Sequence, residues 1–402
     1  MHDLPQTALF YVAPFLAVIT VIVVIHELGH FLTARAFGVA VDRFSIGFGR
    51  AIVSWRDRAG VEWRIGWLPL GGYVKFAGDE NIASVPDQTD LNAMRDAIVA
   101  AEGPGAELKY LPFKPLWQRA LVVVAGPMAN FLLATALFSI LFGAFGEQVV
   151  STRIDRVVPG SAAAGAGFLP GDRLLAVDGH KVTTFQDMQE YVGVRLGVPI
   201  DFTLDRLNRR LHLTATPTAF AQSNPAGGTA KVGRLGIEAR GGAHKRYGAV
   251  EAVGRGADET WKVASSTMFY LGRMVTGQAS GDQLTGILGM AHASGTLTKD
   301  AVATAKVAGV GWWVTVSYSL IAMAALVSVS VGLLNLLPVP TLDGGHLLFY
   351  GYELITKHPP RAGIQAAGFR AGLALLVGLM LFATWNDLQR LRVFQFVGSL
   401  FS

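Results

Sequence analysis

Residues 120–146 contain no charged side chain and are cut off sharply by Arg119 on one side and Glu147 on the other. Crossing the hydrocarbon core of a bilayer takes about 20 mostly apolar residues, so a run of this kind has few other destinations. Three further runs behave alike: residues 4–25, residues 308–342, and residues 362–386, the last broken only by Arg370. The chain as a whole is 51% hydrophobic and 16% charged, against roughly 25% charged in ordinary soluble domains. That apolar excess sits in the four runs instead of being spread through a core. The expected fold class is a polytopic α-helical membrane protein with about four transmembrane helices.

The first run has no basic stretch before it and no small-residue cleavage pattern after it, so it reads as a retained helix and not as a signal peptide. Residues 1–13 lack Lys and Arg, whereas Arg35, Arg43 and Arg50 follow the first run closely. The positive-inside rule then puts the amino terminus outside and residues 38–119 in the cytoplasm. The net charge of +5 comes from 34 basic and 29 acidic residues, a mixture that gives no reason to expect nucleic acid as a partner.

The first run closes on His26-Glu27-Leu28-Gly29-His30. Positions i and i+4 share a helix face, so both imidazoles can reach one Zn²⁺, and Glu27 is offset towards a metal-coordinated water whose pKa zinc lowers to about 7. Ionisable residues inside an apolar helix are costly unless partnered, which makes such a cluster a functional hypothesis; the alternatives are side chains snorkelling at a helix end, or a proton relay. There is no cysteine, so any metal is held by nitrogen and oxygen. Thr33 and Ala36 occupy the positions where an extended metzincin motif needs glycine and histidine. The third ligand therefore lies elsewhere. The third run ends Asn335-Leu336-Leu337-Pro338-Val339-Pro340-Thr341-Leu342-Asp343-Gly344-Gly345-His346. Its prolines break the helix, which at membrane depth is tolerated where the freed backbone is buried or lines a cavity. Asp343 and His346 are both chemically suitable ligands, and Asp343 also suits a helix cap.

At these two motifs the chain resembles the site-2 protease family of intramembrane zinc metalloproteases, in which His-Glu-x-x-His in a first transmembrane helix is paired with a distant Asn-x-x-Pro-x-Pro-x-Leu-Asp-Gly. The resemblance implies His26, His30 and Asp343 as zinc ligands, deciding for Asp343 over His346, with Glu27 as catalytic base. It also implies that Asn335 helps to hold substrate or the developing oxyanion. Gly126-Pro127-x-x-Asn130 is similar to the family's helix-packing motif. Phe44 to Gly49 and Pro69 to Lys75 resemble the segment between the first two helices of the RseP branch, which implies a membrane-reentrant β-loop, an extracytoplasmic PDZ domain and cleavage of anti-sigma factors. The best-known member of that branch has two PDZ domains; here there is room for one, as in shorter alphaproteobacterial relatives.

Residues 51–55 and 61–67 flank Asp57-Arg58-Ala59-Gly60 as a hairpin. Val157-Val158-Pro159-Gly160-Ser161-Ala162, Gly167 to Leu175 and Val177-Asp178-Gly179 match a PDZ pattern. Residues 185–194 would be its helix and residues 199–216 a closing hairpin around Leu207-Asn208, the domain acting as a peptide binder or a size filter. Residues 219–233 read as a linker. Beyond them Val250, Val253, Ala257, Trp261, Ala264, Met268, Leu271 and Val275 repeat at helical spacing, an amphipathic helix expected on the outer leaflet, with packing against the PDZ domain as the alternative.

The expected division runs as follows: 1–37 first helix with the zinc motif; 38–119 cytoplasm-side β-loop and connector; 120–146 second helix; 148–217 PDZ domain. Then come 218–306 linker and amphipathic helices, 307–342 third helix, and 343–402 third-ligand segment, fourth helix and tail. The expected activity is zinc-dependent hydrolysis of peptide bonds in or beside transmembrane segments. Substrates would be single-span proteins such as an anti-sigma factor after a prior cut, in the bilayer of a bacterial inner membrane with the PDZ domain on the periplasmic side. Two rivals differ in class. A catalytically inactive PDZ-bearing adaptor would lack a ligand or the base, and all four groups are present. A metal or proton transporter would show inverted repeats and polar residues across several spans, which are absent.

Overall fold

The structure is a computed structural model and describes residues 4–78, 88–223, 229–278, 281 and 284–391; the tail at 392–402 lies outside them. Two units are present. The first comprises Met1–Leu137 and Gly286–Trp385, the second Phe138–Thr285 and Asn386–Ser402.

The first unit opens with α1 (Leu4–Ala36), apolar on all sides as expected of a helix without a water-facing surface. A hairpin follows, β1 (Val41–Arg56) and β2 (Glu62–Phe76), turning at Asp57, whose carboxylate accepts from the N–H groups of Ala59 and Val61 and from Trp63 Nε1. Both strands are folded over. Phe44 pairs with Val74 on one side and Trp63 on the other, while Trp55 also pairs with Trp63. The result is four lanes in the order 72–76, 41–46, 62–65, 53–56. Phe31 of α1 holds this sheet through Phe44 and Trp63, each at 5.4 Å between ring centroids, whereas Ile52, Trp55 and Trp67 stay exposed. After α2 (Gln88–Glu102) and two 3₁₀ turns comes α3 (Leu116–Ile140), prolonged by a π turn over Leu141–Phe145.

The second unit begins with β3 (Glu147–Val150), β4 (Arg156–Val157), the single turn α4 (Ala162–Gly165), β5 (Arg173–Val177) and β6 (His180–Lys181). Next are α5 (Phe185–Gly193), β7 (Ile200–Arg206) and β8 (Arg209–Ala215). β6-β5-β7-β8 form one antiparallel sheet. Leu207 and Asn208 take positive φ in the two-residue turn joining β7 to β8, the geometry that matches strand twist. Phe168, Leu174, Met188, Ile200, Phe202 and Leu204 are its buried core. The expected linker at 219–233 is instead mostly strand: β9 (Thr218–Ser223) pairs with β10 (Thr229–Arg234). β11 (Ile237–Glu238) then pairs with β4, and β12 (Gly242–Lys245) with β3. Small and polar residues give 219–233 the composition of a linker, but β9 and β10 satisfy each other's backbone, while the following β11 and β12 find partners far away in sequence.

α6 (Ala249–Val275) is amphipathic, and its polar face is the one turned to the domain. Arg255 meets Glu147 of β3 at 2.8 Å and Asp187 of α5 at 3.5 Å, and Lys262 also pairs with Asp187. Arg195 lies over Phe269, 4.1 Å from the ring centroid. Val250, Val253, Trp261, Met268 and Val275 are exposed. Packing against the neighbouring domain, the alternative considered above, is thus what the charged face does, and the apolar row is left facing outward.

The chain then returns to the first unit. α7 (Ile287–Ala308) is distinct from the third apolar run and packs on α1, where Gly295 lies against the Tyr11 ring and Lys299 donates to the Tyr11 hydroxyl at 2.7 Å. α8 (Trp312–Asn335), α9 (Asp343–Thr356) and α10 (Ala362–Arg390) complete it. Val18, Ile22 and Met323, with Leu133, Leu297 and Leu320 against them, form the shared interior of α1, α3, α7 and α8. Among the described residues, four helical segments are long and apolar enough to cross a membrane: Tyr11–Ala36, Leu116–Phe145, Trp312–Asn335 and Ala362–Arg390.

Candidate metal centre

His26 and His30 lie one turn apart on α1, with Nε2 atoms 3.2 Å from each other. α8 ends at Asn335, and the segment bearing Pro338 and Pro340 turns the chain into α9, whose first residue is Asp343. The turn is tight enough that a Cβ on Gly344 would strike the Leu336 and Leu337 carbonyls, so only glycine fits after the aspartate. Leu342, and not Asp343, occupies the cap position. The Asp343 carboxylate is therefore free to point at the imidazoles: Oδ2 is 3.1 Å from His26 Nε2 and 3.5 Å from His30 Nε2.

These three side chains offer two nitrogens and one oxygen, all within 4.8 Å of one another. The Asp343 Oδ2 is buried and has no hydrogen bond, a costly state for a carboxylate unless a cation compensates it. The donor set fits zinc: two imidazoles and a carboxylate, with a coordination position left over. His346 is turned away, edge-on to Phe369 at 6.1 Å, and does not join the cluster. Glu27, next to His26, leans to the hairpin, with Gly72 of β2 close to its Cγ. Its carboxylate faces the Val74 backbone and is within electrostatic reach of both imidazoles and Asp343. Asn335 comes to the same place, its Nδ2 3.4 Å from His26 Nε2.

The outer atoms of the imidazoles are held by α3. His30 Nδ1–H donates to the Val122 carbonyl at 2.8 Å, which leaves Nε2 as a lone pair directed inward. Asn130 Nδ2 lies 3.2 Å from His26 Nδ1, and the buried Oδ1 of the same amide has no hydrogen bond; turning the amide over would satisfy that oxygen, which would then accept from Nδ1–H and fix the same tautomer. A Cβ on Gly126 would run into the His30 ring. Sequence reading placed Gly126 and Asn130 in a helix-packing motif and missed their contact with the histidines. The available signal was a polar Asn in the middle of an uncharged span, a position that demands a partner.

A family model described as peptidase family M50 matches residues 14–379. The protein named metalloprotease MmpA from Caulobacter vibrioides is 51% identical over 388 residues, covering 96% of this chain and 97% of that one. Proteins from Agrobacterium fabrum and Rhizobium meliloti that carry zinc-metalloprotease names are 42% and 40% identical, over 95% and 94% of this chain and 96% of each relative. Matched along nearly all its length in this way, the chain belongs to peptidase family M50, the site-2 protease family, and is a zinc-dependent metalloprotease.

Proposed function

We propose that this metalloprotease hydrolyses peptide bonds within or beside the transmembrane segments of other membrane proteins, with His26, His30 and Asp343 holding the zinc and Glu27 as general base. The carrying observation is the convergence of the two Nε2 atoms and an otherwise unpartnered carboxylate oxygen inside a helix apolar enough to span a bilayer. Bound zinc would polarise the scissile carbonyl and make water nucleophilic at neutral pH. Glu27 accepts the proton of the attacking water and delivers it to the leaving amine. Asn335, with its amide beside His26, donates to the substrate carbonyl as negative charge develops there.

A peptide bond in a helix is shielded by its own hydrogen bonds, so the substrate must be extended first. Lane 72–76 of the hairpin is paired only with β1 among the described residues, and it runs past Glu27. An unwound substrate added along that open edge would bring its backbone to the base. The family reading supplies the rest: single-span substrates such as an anti-sigma factor trimmed by an earlier cut, a bacterial inner membrane, and a PDZ domain at 148–217 on the periplasmic side. On the same reading the outward row of α6 rests on the outer leaflet.

The test uses a single-span protein trimmed of its ectodomain and incubated in detergent with wild type or Glu27→Gln, zinc content being assayed in both. Cleavage by wild type alone, with equal zinc, is expected. Undiminished cleavage by Glu27→Gln would remove that residue from its role.

A further inference from the structure

A cavity of about 540 Å³ opens where the first turn of α3 meets the last turns of α9. Its walls include Leu108, Phe113 and Leu354 together with Lys114, Arg119 and Lys357. Arg119 is committed: its guanidinium is paired with Glu353, with Nη1 at 3.1 Å from Oε2, and Nε–H donates to the Lys114 carbonyl. The two lysines are different. Lys114 Nζ donates to the Phe37 carbonyl at 2.6 Å, which uses one of its three N–H groups. Lys357 ends α9 with φ of 62°. Neither is within ion-pair distance of a carboxylate among the described residues, so these two ammonium groups bring positive charge to the cavity that no described carboxylate pairs with.

Leu108 and Leu354 of its wall are each 60% exposed, and Trp117 and Ile355, which follow the lining residues Leu116 and Leu354 in sequence, are 57 and 83% exposed, much for large apolar side chains in water. The cavity also sits at the first residue of the candidate span Leu116–Phe145, the level at which a bilayer changes from hydrocarbon to headgroup. It is built from the segment joining the first and second candidate spans and from the segment joining the third and fourth. Those two connections emerge on the same face of a membrane crossed four times. Near the span ends the former carries Arg43, Arg50, Lys109 and Lys114, which by the positive-inside rule assigns that face to the cytoplasm, where anionic lipids gather.

We propose that this cavity binds the headgroup of an anionic phospholipid of the cytoplasmic leaflet. The phosphate lies between the Lys114 and Lys357 ammonium groups, and an acyl chain runs over Leu354, Ile355 and Trp117. A lipid held there pins the end of α9 to the start of α3. Because α9 is the helix that begins with Asp343, the bound lipid steadies the placement of that carboxylate. The inference depends on the chain lying in a bilayer and not on the proposed chemistry, and lipid binding can be read in a protein that cleaves nothing.

The full chain, purified in detergent, would be titrated with phosphatidylglycerol, with phosphatidylcholine and with inorganic phosphate, bound adducts being counted by native mass spectrometry. Lys357→Asn removes the charge while keeping a residue that tolerates positive φ; Lys114→Gln keeps a donor for the Phe37 carbonyl. One phosphatidylglycerol retained in preference to phosphatidylcholine is expected, with affinity lowered about five-fold by Lys357→Asn and further by the double variant. Equal retention of the two lipids, or undiminished phosphatidylglycerol affinity in Lys357→Asn, would overturn the assignment. Saturation by inorganic phosphate with no lipid preference would make it a site for free phosphate and would equally overturn it.

Discussion

The residues around the metal centre divide by how far sequence can see them. His26 and His30 declare themselves because an i, i+4 spacing is a statement about a single helix; the proline break pointed to the segment holding Asp343 and His346, and only the family resemblance chose between those two. What Gly126 and Asn130 do is a relation between two helices, and no spacing within either one encodes it. Their roles lead to separate expectations. Asn130→Ala leaves His26 Nδ1 without its partner and should weaken zinc affinity by about 10–100-fold, measured by competition with a chelator of known affinity. Gly126→Ala drives a methyl group into the His30 ring; the purified protein should contain less zinc and lose proteolysis in proportion, both readable from one preparation.

Among the elements, the long uncharged helices and the hairpin turn at Asp57 were legible from composition and turn chemistry. β9 and β10 were not, because residues 219–233 have a linker's composition, and the short β11 and β12 were not, because their partners β4 and β3 lie far back in the sequence. α7 was hidden as a separate helix for a related reason: it packs through small residues such as Gly295 and Ser294, so no apolar stripe advertises it. α6 was legible as an amphipath but not as to which side packs. Two carboxyls with opposite shifts meet where its polar side packs on α5: Glu259 of α6 and Asp187 of α5. Burial pushes the Glu259 carboxyl up to about 7, helped by Glu190, against the pull of Arg255 and Lys262. Burial also raises Asp187, but hydrogen bonds from Lys262 and Thr183 outweigh it and hold that carboxyl at about 2.

The signs follow from linkage. Folding favours protonated Glu259, so its contribution to docking of α6 is full below its ordinary value of 4.5 and fades as pH rises to about 7. That of Asp187 is present above 3.8 and is lost only as pH falls towards 2. Hydrogen exchange of α6, corrected for its intrinsic pH dependence, should therefore be faster at pH 7.5 than at pH 5, and Glu259→Gln should flatten the difference. The opposite face has its own readout. Trp261, 74% exposed, should be quenched by brominated lipids after reconstitution and not by a water-soluble quencher.

For the molecule as a whole, the proposed metal ligands come from opposite ends of the chain: His26 and His30 on α1, Asp343 on α9. An ion shared among them ties the first helix to a late one and stabilises the folded form by mass action. Chelation should lower the unfolding temperature of wild type and of Glu27→Gln by similar amounts, since the base is not among the tethering groups. An equal midpoint with and without chelator would mean that the ends are held by packing alone.

Strands β3 and β12 leave and rejoin the helical part of the chain side by side, with Glu147 opposite Lys245. Strands so paired are about 5 Å apart, so the two ends of the segment 147–245 lie next to each other. Cutting out residues 147–245 would leave two ends that a few residues can bridge, at the expense of the partners that α6 finds in Glu147 and Asp187. A segment whose two ends lie side by side can be exchanged, doubled or dropped while the helices on either side of it keep their connectivity.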